Sequence, residues 1–333
     1  FSRLSLFVIL FICSLFEIWH ILCLFQVHRH GDRTPIESTL SQSTDAEALI
    51  QASAKYGYGQ LTDVGKRRSY ALGQFIRRRY DGLLSQNFNK SQIYIRSTDS
   101  TRAKMTVLSA MAAVYPVDQD SWSDYVNWTP VPYTTVPAKY DFVSNVFFLN
   151  IFNKVQFRCS QMSLGIPLDP RLQAIYPQIV EIAGLAIDYL FGNEDRAALS
   201  AGVLLNQFFA VADQVIAGED VPRVQVYSAH DINVFTFQAV TQITQRQGVP
   251  KYGSAYALEL RRVVATGEYI VLPIYLNTPS EDKLTYLQVA GCGQRCDIES
   301  FRAITSPFNL EEDEWRTKCG FSEDMDLDTS SID

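Results

Sequence analysis

Apolar residues fall in two rhythms along the chain. Ile21 to Val27 is a short apolar run closed by a polar turn containing glycine, the pattern of a strand buried on both faces. From Thr62 to Tyr80 the apolar positions Val64, Leu72, Phe75 and Ile76 recur at helical spacing, with Arg and Lys on the opposite face. Ile93 to Arg96 predicts a second strand, and the Ser97-Thr98-Asp99 cluster opens a helix that carries Val107, Leu108, Met111 and Val114 on one side to Val114. Trp122 to Pro137, rich in Pro, Tyr and Thr, predicts an extended loop. Two helices follow, Pro170 to Phe191 and Ala198 to Ile216. Val224 to Tyr227 predicts another buried strand, ending in Ser-Ala-His-Asp, and Ala255 to Arg261 with Tyr269 to Tyr275 predict a strand pair around the Thr266-Gly267 turn. Strands alternating with helices predict an α/β fold: a mostly parallel central sheet flanked by helices. In such sheets ligands gather beyond the carboxyl ends of the strands.

Composition narrows the class. The chain has 333 residues, 47% hydrophobic and 20% charged, which excludes disordered, fibrous and multi-span membrane proteins and permits one large domain or two small ones. A formal net charge of −7 argues against a nucleic-acid partner, which demands a basic face. Histidine chemistry must draw on four residues, His20, His28, His30 and His230.

Arg3 precedes an apolar run from Leu4 to Phe16, the length of a signal-peptide core and short for a membrane span. Residues 1–20 are therefore expected to be a signal peptide or signal anchor, with membrane attachment only if the segment stays uncleaved, and 322–333 an acidic tail. The sequons at Asn89 and Asn127 fit export to a secreted or lysosomal destination. Cys292 and Cys296 close a short loop, and with a leader a Cys292–Cys296 disulfide is expected. No Cys or His pair stands at metal-finger spacing.

The chemistry concentrates at strand ends. Directly after the first strand comes Arg29-His30-Gly31-Asp32-Arg33-Thr34-Pro35. A neutral imidazole there can act as a nucleophile, and arginines at its flanks offer forks matched to a tetrahedral dianion. Gly31 permits close backbone approach and Pro35 stiffens the loop exit. This set suits phosphoryl transfer, which depends mostly on positioning and charge neutralisation. After the Val224 strand, His230 can bind the transferring group and Asp231 can protonate the leaving oxygen. Arg102, in the first turn of the helix after Arg96-Ser97-Thr98-Asp99-Ser100-Thr101, lies where helices bind anions.

These segments resemble the histidine acid phosphatases, the prostatic and lysosomal branch of the histidine phosphatase superfamily. The similarity rests on RHGDRTPI, GQLTDVGKRRSYALGQFIRRRY, YIRSTDSTRAKM, VYSAHD and GCGQRC, which together span Ile21 to about Cys319. The resemblance implies a phosphoglycerate mutase-like fold over residues 21–321, a phosphomonoester substrate, an acidic optimum, and no metal or organic cofactor. It further implies a phosphohistidine on His30, Asp231 as general acid, and Arg29, Arg33, Arg102 and His230 as phosphate ligands, with Arg96 adjacent rather than catalytic. Residues 120–200 would hold the Pro-rich loop and a reduced helical cap, because a stretch common in the family is missing around Ala138 to Gln161. Ala255 stands where the family has a cysteine, leaving Cys159 and Cys319 either orphaned or paired with each other.

Rival chemistries fit less well. Gly59 to Lys66 misses the phosphate-loop spacing and has Arg67 in place of Ser or Thr, and no G-x-S-x-G elbow exists. A metal hydrolase lacks ligands, since arginines flank the useful histidines. The sequence thus predicts an acid phosphatase, with a catalytically weak secreted binding protein or antigen and a phytase-like enzyme as alternatives; a phosphomutase ranks lower, and a homodimer is left open.

Overall fold

A computed structural model describes residues 19–43, 45–117, 122–143, 150–292 and 295–321. Most of the expected leader, with Cys13, and the acidic tail lie outside the described residues.

Strand β1 runs from Trp19 to Arg29. Trp19 and His20, at the end of the segment expected as a leader, pair with Val263 and Arg262 as strand residues. Helix α1 (Ala46–Ser53), unforeseen in the sequence, is followed by α2 (Asp63–Arg79), β2 (Ile93–Ser97) and α3 (Thr101–Val114). The Pro-rich loop is irregular apart from β3 (Thr134–Thr135). Then come α4 (Asn150–Ser163), α5 (Pro170–Phe191), α6 (Glu194–Ala217), β4 (Val224–Ala229) and α7 (Asp231–Val240). The chain closes with β5 (Ala255–Val263), β6 (Tyr269–Leu276), β7 (Leu284–Tyr286), β8 (Cys296–Asp297), α8 (Ile298–Thr305) and α9 (Glu312–Lys318).

The sheet order is β3-β2-β4-β1-β5-β6-β7, with β8 also pairing with β6. The β3-β2-β4-β1 half is parallel. β5, β6, β7 and β8 extend it with antiparallel pairings, which include the expected hairpin around Gly267. Side chains alternate across β1: Cys23, Phe25 and Val27 enter the core formed with α6, α7 and α8, while Leu24 joins the core formed with α2 and α3. Helices on both faces explain why this strand reads as apolar throughout rather than as alternating.

Thr62 caps α2 by accepting from Gly65 N at 3.2 Å. Both Gly31 and Gly65 are required by close packing: a Cβ on Gly31 would lie 2.5 Å from Gly65 O, and one on Gly65 would run into the backbone of Asp32. The start of α2 is thereby held against the turn that follows β1.

Cys292 and Cys296 form a disulfide. Cys159 and Cys319 are not paired with each other; both are free thiols, Cys159 Sγ lying 3.3 Å from the Tyr176 hydroxyl and Cys319 exposed. The sequon asparagines Asn89 and Asn127 are exposed.

Candidate active site

Three parallel strands end side by side, and their ends build the site. Arg29 pairs with Ala229 where β1 meets β4, and Ser97 pairs with Ser228 where β2 meets β4. The residues immediately beyond these ends, His30, His230 and Thr98, therefore emerge at one edge. His30 N donates to Ala229 O at 3.0 Å and Thr98 N to Ser228 O at 3.0 Å, continuing the ladder past the strands. The two imidazoles meet edge to face with centroids 5.5 Å apart.

The tautomer of His30 follows from its partners. Nδ1 faces the Gly31 carbonyl at 2.8 Å, and a carbonyl can only accept, so Nδ1 carries the proton. Nε2 accepts from Arg102 Nε at 3.2 Å, so its lone pair points into the site. Burial holds the pKa of His30 well below the usual imidazole range, reinforced by the charges of Arg102, Arg29, His230 and Arg33. His230 is held low in the same way, by burial and then by Arg102, Arg29 and Arg33. Its Nε2 lies 3.1 Å from Thr98 Oγ1, and its backbone N donates to Asn233 Oδ1 at 3.1 Å.

Each arginine is fixed by a different element. Arg29, last in β1 and fully buried, donates through Nη1 to Pro250 O at 2.7 Å and through Nη2 to Gln156 Oε1. Its guanidinium stacks 3.9 Å from the Tyr252 ring centroid, and its Nε lies 3.2 Å from Asp231 Oδ2. Arg33 donates through Nη1 to Thr34 O at 2.9 Å and to Ser160 Oγ at 3.3 Å. Arg102 sits in the first turn of α3, and one turn later Thr106 Oγ1 accepts from Gly31 N at 3.0 Å, tying that helix to the loop of His30. Asp231, the first residue of α7, accepts from Ile232 N at 2.9 Å through its other oxygen. Three guanidiniums against the Asp231 carboxylate leave two positive charges in excess beside two neutral imidazoles. A buried surplus of that size matches a phosphoryl dianion.

All six residues singled out in the sequence, Arg29, His30, Arg33, Arg102, His230 and Asp231, are thus brought together. Arg96 points elsewhere: its guanidinium pairs with Asp141 and stacks 4.3 Å from the Phe142 ring. Asp32 is likewise occupied, bound by Arg68 Nε at 2.5 Å and Ser163 Oγ at 2.9 Å. Among the described residues no group of three or more His, Cys, Asp or Glu is placed to hold a metal ion.

Several participants were missed in the sequence. Gln156, Ser160 and Ser163 lie on α4, the first two within the stretch expected to be depleted, and Tyr252 and Thr98 sit in loops. Only the spacing of 156, 160 and 163, one face of a helix, hinted at a shared role.

The α/β architecture thus gathers this cluster at the carboxyl ends of the parallel strands. Residues 20–157 match the histidine phosphatase superfamily (branch 2). The chain is 26% identical to prostatic acid phosphatase of Bos taurus, over 88% of this chain and 86% of that protein. It is 26% identical to lysosomal acid phosphatase of Rattus norvegicus, over 92% of this chain and 81% of that one. Among solved structures, a Hafnia alvei phytase in complex with tartrate superposes with a TM-score of 0.65 at 11% identity, covering 89% of this chain and 98% of that one. A Klebsiella phytase gives 0.61 at 16% identity, covering 88% and 98%. Over most of its length the chain is similar to histidine acid phosphatases.

Proposed function

We propose that this protein is an acid phosphatase that hydrolyses phosphomonoesters through a phosphohistidine on His30. The observation that carries this is the proton-free Nε2 of His30, facing a buried cluster of three arginines at the end of the parallel strands. Arg29, Arg33, Arg102 and His230 hold the phosphoryl oxygens. The His30 Nε2 lone pair attacks phosphorus, the ester P–O bond breaks, and a protonated Asp231 gives its proton to the departing oxygen. Water then attacks the phosphohistidine, Asp231 takes its proton, the P–N bond breaks and inorganic phosphate leaves. The lowered pKa of His30 keeps the nucleophile unprotonated in acid, which suits an acidic optimum.

The phosphatase unit is proposed to span residues 21–321, its cap and Pro-rich loop within 120–200, preceded by a leader that delivers the chain to the lysosome or out of the cell. A homodimer is the proposed assembly, which sedimentation of the purified protein tests.

Two alternatives have specific support. Similarity of fold to phytases favours inositol phosphates. The basic residues of α4, Lys154 and Arg158, line a groove with Phe157, Leu172, Tyr176 and Ile179. The Arg29–Asp231 ion pair favours a phosphate-binding protein with weak catalysis, since it occupies both groups. Turnover of an aryl phosphate, lost in His30→Ala, is the expected result. Protection by phosphate without turnover would make it a binding protein, and a higher kcat/KM for inositol hexakisphosphate would make it a phytase.

A further inference from the structure

Helix α4 faces the loop of His30 with three polar side chains at i, i+4 and i+7 spacing. Gln156 accepts from Arg29, Ser160 from Arg33, and Ser163 donates to Asp32. One helix face therefore touches three of the five residues from Arg29 to Arg33.

Gln156 is the unusual member. It is 6% exposed, and because guanidinium nitrogens only donate, its amide must turn Oε1 toward Arg29. That orientation directs Nε2, a donor, away from Arg29, where it is buried with no partner among the described residues. A buried donor without an acceptor is costly, and such groups in native proteins call for an explanation. Arg33 Nε in the same site also lacks a hydrogen-bonding acceptor among the described residues, whereas Arg29 Nε faces Asp231 Oδ2 at 3.2 Å. Two buried donors without acceptors, in a cluster rich in guanidinium groups, suit a ligand whose oxygens accept hydrogen bonds.

We propose that Gln156 is a phosphate-contacting residue: Arg29 holds its carbonyl, and its amide nitrogen donates to a non-bridging oxygen of the phosphoryl group. This rests on the phosphatase reading above and adds a ligand from the cap helix. A neutral amide supplies one directed hydrogen bond without a further charge, so it discriminates by orientation of the phosphoryl group rather than by total charge.

The test compares Gln156→Glu with Gln156→Leu, reading the inhibition constant of inorganic phosphate, kcat/KM for an aryl phosphate, and the melting temperature. Glutamate keeps an acceptor for Arg29 and deletes the donor, so a residue that only positions Arg29 would be rescued by it. The proposal expects the reverse. Gln156→Leu weakens phosphate by about tenfold, and Gln156→Glu weakens it more, because a carboxylate then faces the dianion. A Gln156→Glu protein that binds phosphate within twofold of the wild type overturns the proposal. Should that variant fail to melt cooperatively, Gln156→Leu decides alone: an unchanged phosphate constant sinks it. If the unaltered protein neither binds phosphate nor turns over the ester, the phosphatase reading falls, and this inference with it. Wild-type activity with an indifferent position 156 removes only the inference.

Discussion

Arg102 Nε donates to His30 Nε2 at 3.2 Å, joining residues 72 positions apart in the chain. In the proposed mechanism this contact marks the edge of the imidazole that an incoming phosphorus would approach, with a guanidinium beside it to take up the oxygen charge. His30→Ala is therefore expected to lower aryl phosphate turnover by at least about 10³-fold. Mass spectrometry after an alkaline quench, which preserves the P–N bond, should reveal a phosphorylated His30 in the wild type. A phosphoryl group found on any other residue would reject the nucleophile assignment.

Asp231 should reveal its role through the leaving group. An alkyl phosphate departs as a poor leaving group and needs a proton, whereas an activated aryl phosphate does not. Asp231→Asn is expected to slow alkyl esters by about 10²–10⁴-fold and to affect aryl esters far less. Equal losses on both would remove Asp231 from the acid role and leave it as the partner of Arg29.

Stability should fall in acid. Burial pushes His28 down to about 3, and burial together with Arg102 and the other arginines holds His30 and His230 well below the usual range. Unfolded, all three titrate near 6.5, so below that pH the unfolded chain binds more protons than the native one. Unfolding free energy therefore decreases as pH falls below about 6.5, by at most about 1.4 kcal/mol per pH unit for each histidine. Urea midpoints measured from pH 7.5 to about 4.5 should decline, and saturating phosphate should restore part of the loss. A midpoint that rises on acidification would contradict the neutral state of these imidazoles.

The Gly31–Gly65 contact gives a prediction far from the chemistry. Gly65→Ala places a methyl group against the Asp32 backbone, and Asp32 lies between His30 and Arg33. Overpacking of this kind costs about 1–3 kcal/mol, and here the loop of His30 must shift. Lower melting temperature together with reduced kcat is expected; an unchanged kcat would show that the loop tolerates the displacement.

Thiol counting checks the cysteine pattern. Under denaturing, non-reducing conditions Cys23, Cys159 and Cys319 should label, with Cys13 besides in a chain that keeps its leader, and reduction should add two thiols, from Cys292 and Cys296. Closing so short a loop is expected to contribute about 2 kcal/mol of stability. Protection of Cys159 before reduction would point to a pairing absent from this structure.

How far the chain could be read without its fold follows from the range of each interaction. The strands ending at Arg29 and Ala229, the helices at 63–79 and 170–191, and the six residues of the site were legible, because hydrophobic period and local motif are carried by adjacent positions. Helix α4 was obscured by its place in a stretch that looked depleted. The contacts of Gln156, Ser160 and Tyr252 were not legible at all, since a side chain's partner depends on packing between elements that are far apart in sequence. Sequence alone therefore determined which chemical groups are available and that they cluster at strand ends. Tertiary structure alone decided the proton position on His30, the pairing of Arg29 with Asp231 and the polar wall from α4. Those depend on distances of about 3 Å, which only the parallel register of β1, β4 and β2 and the docking of α4 establish.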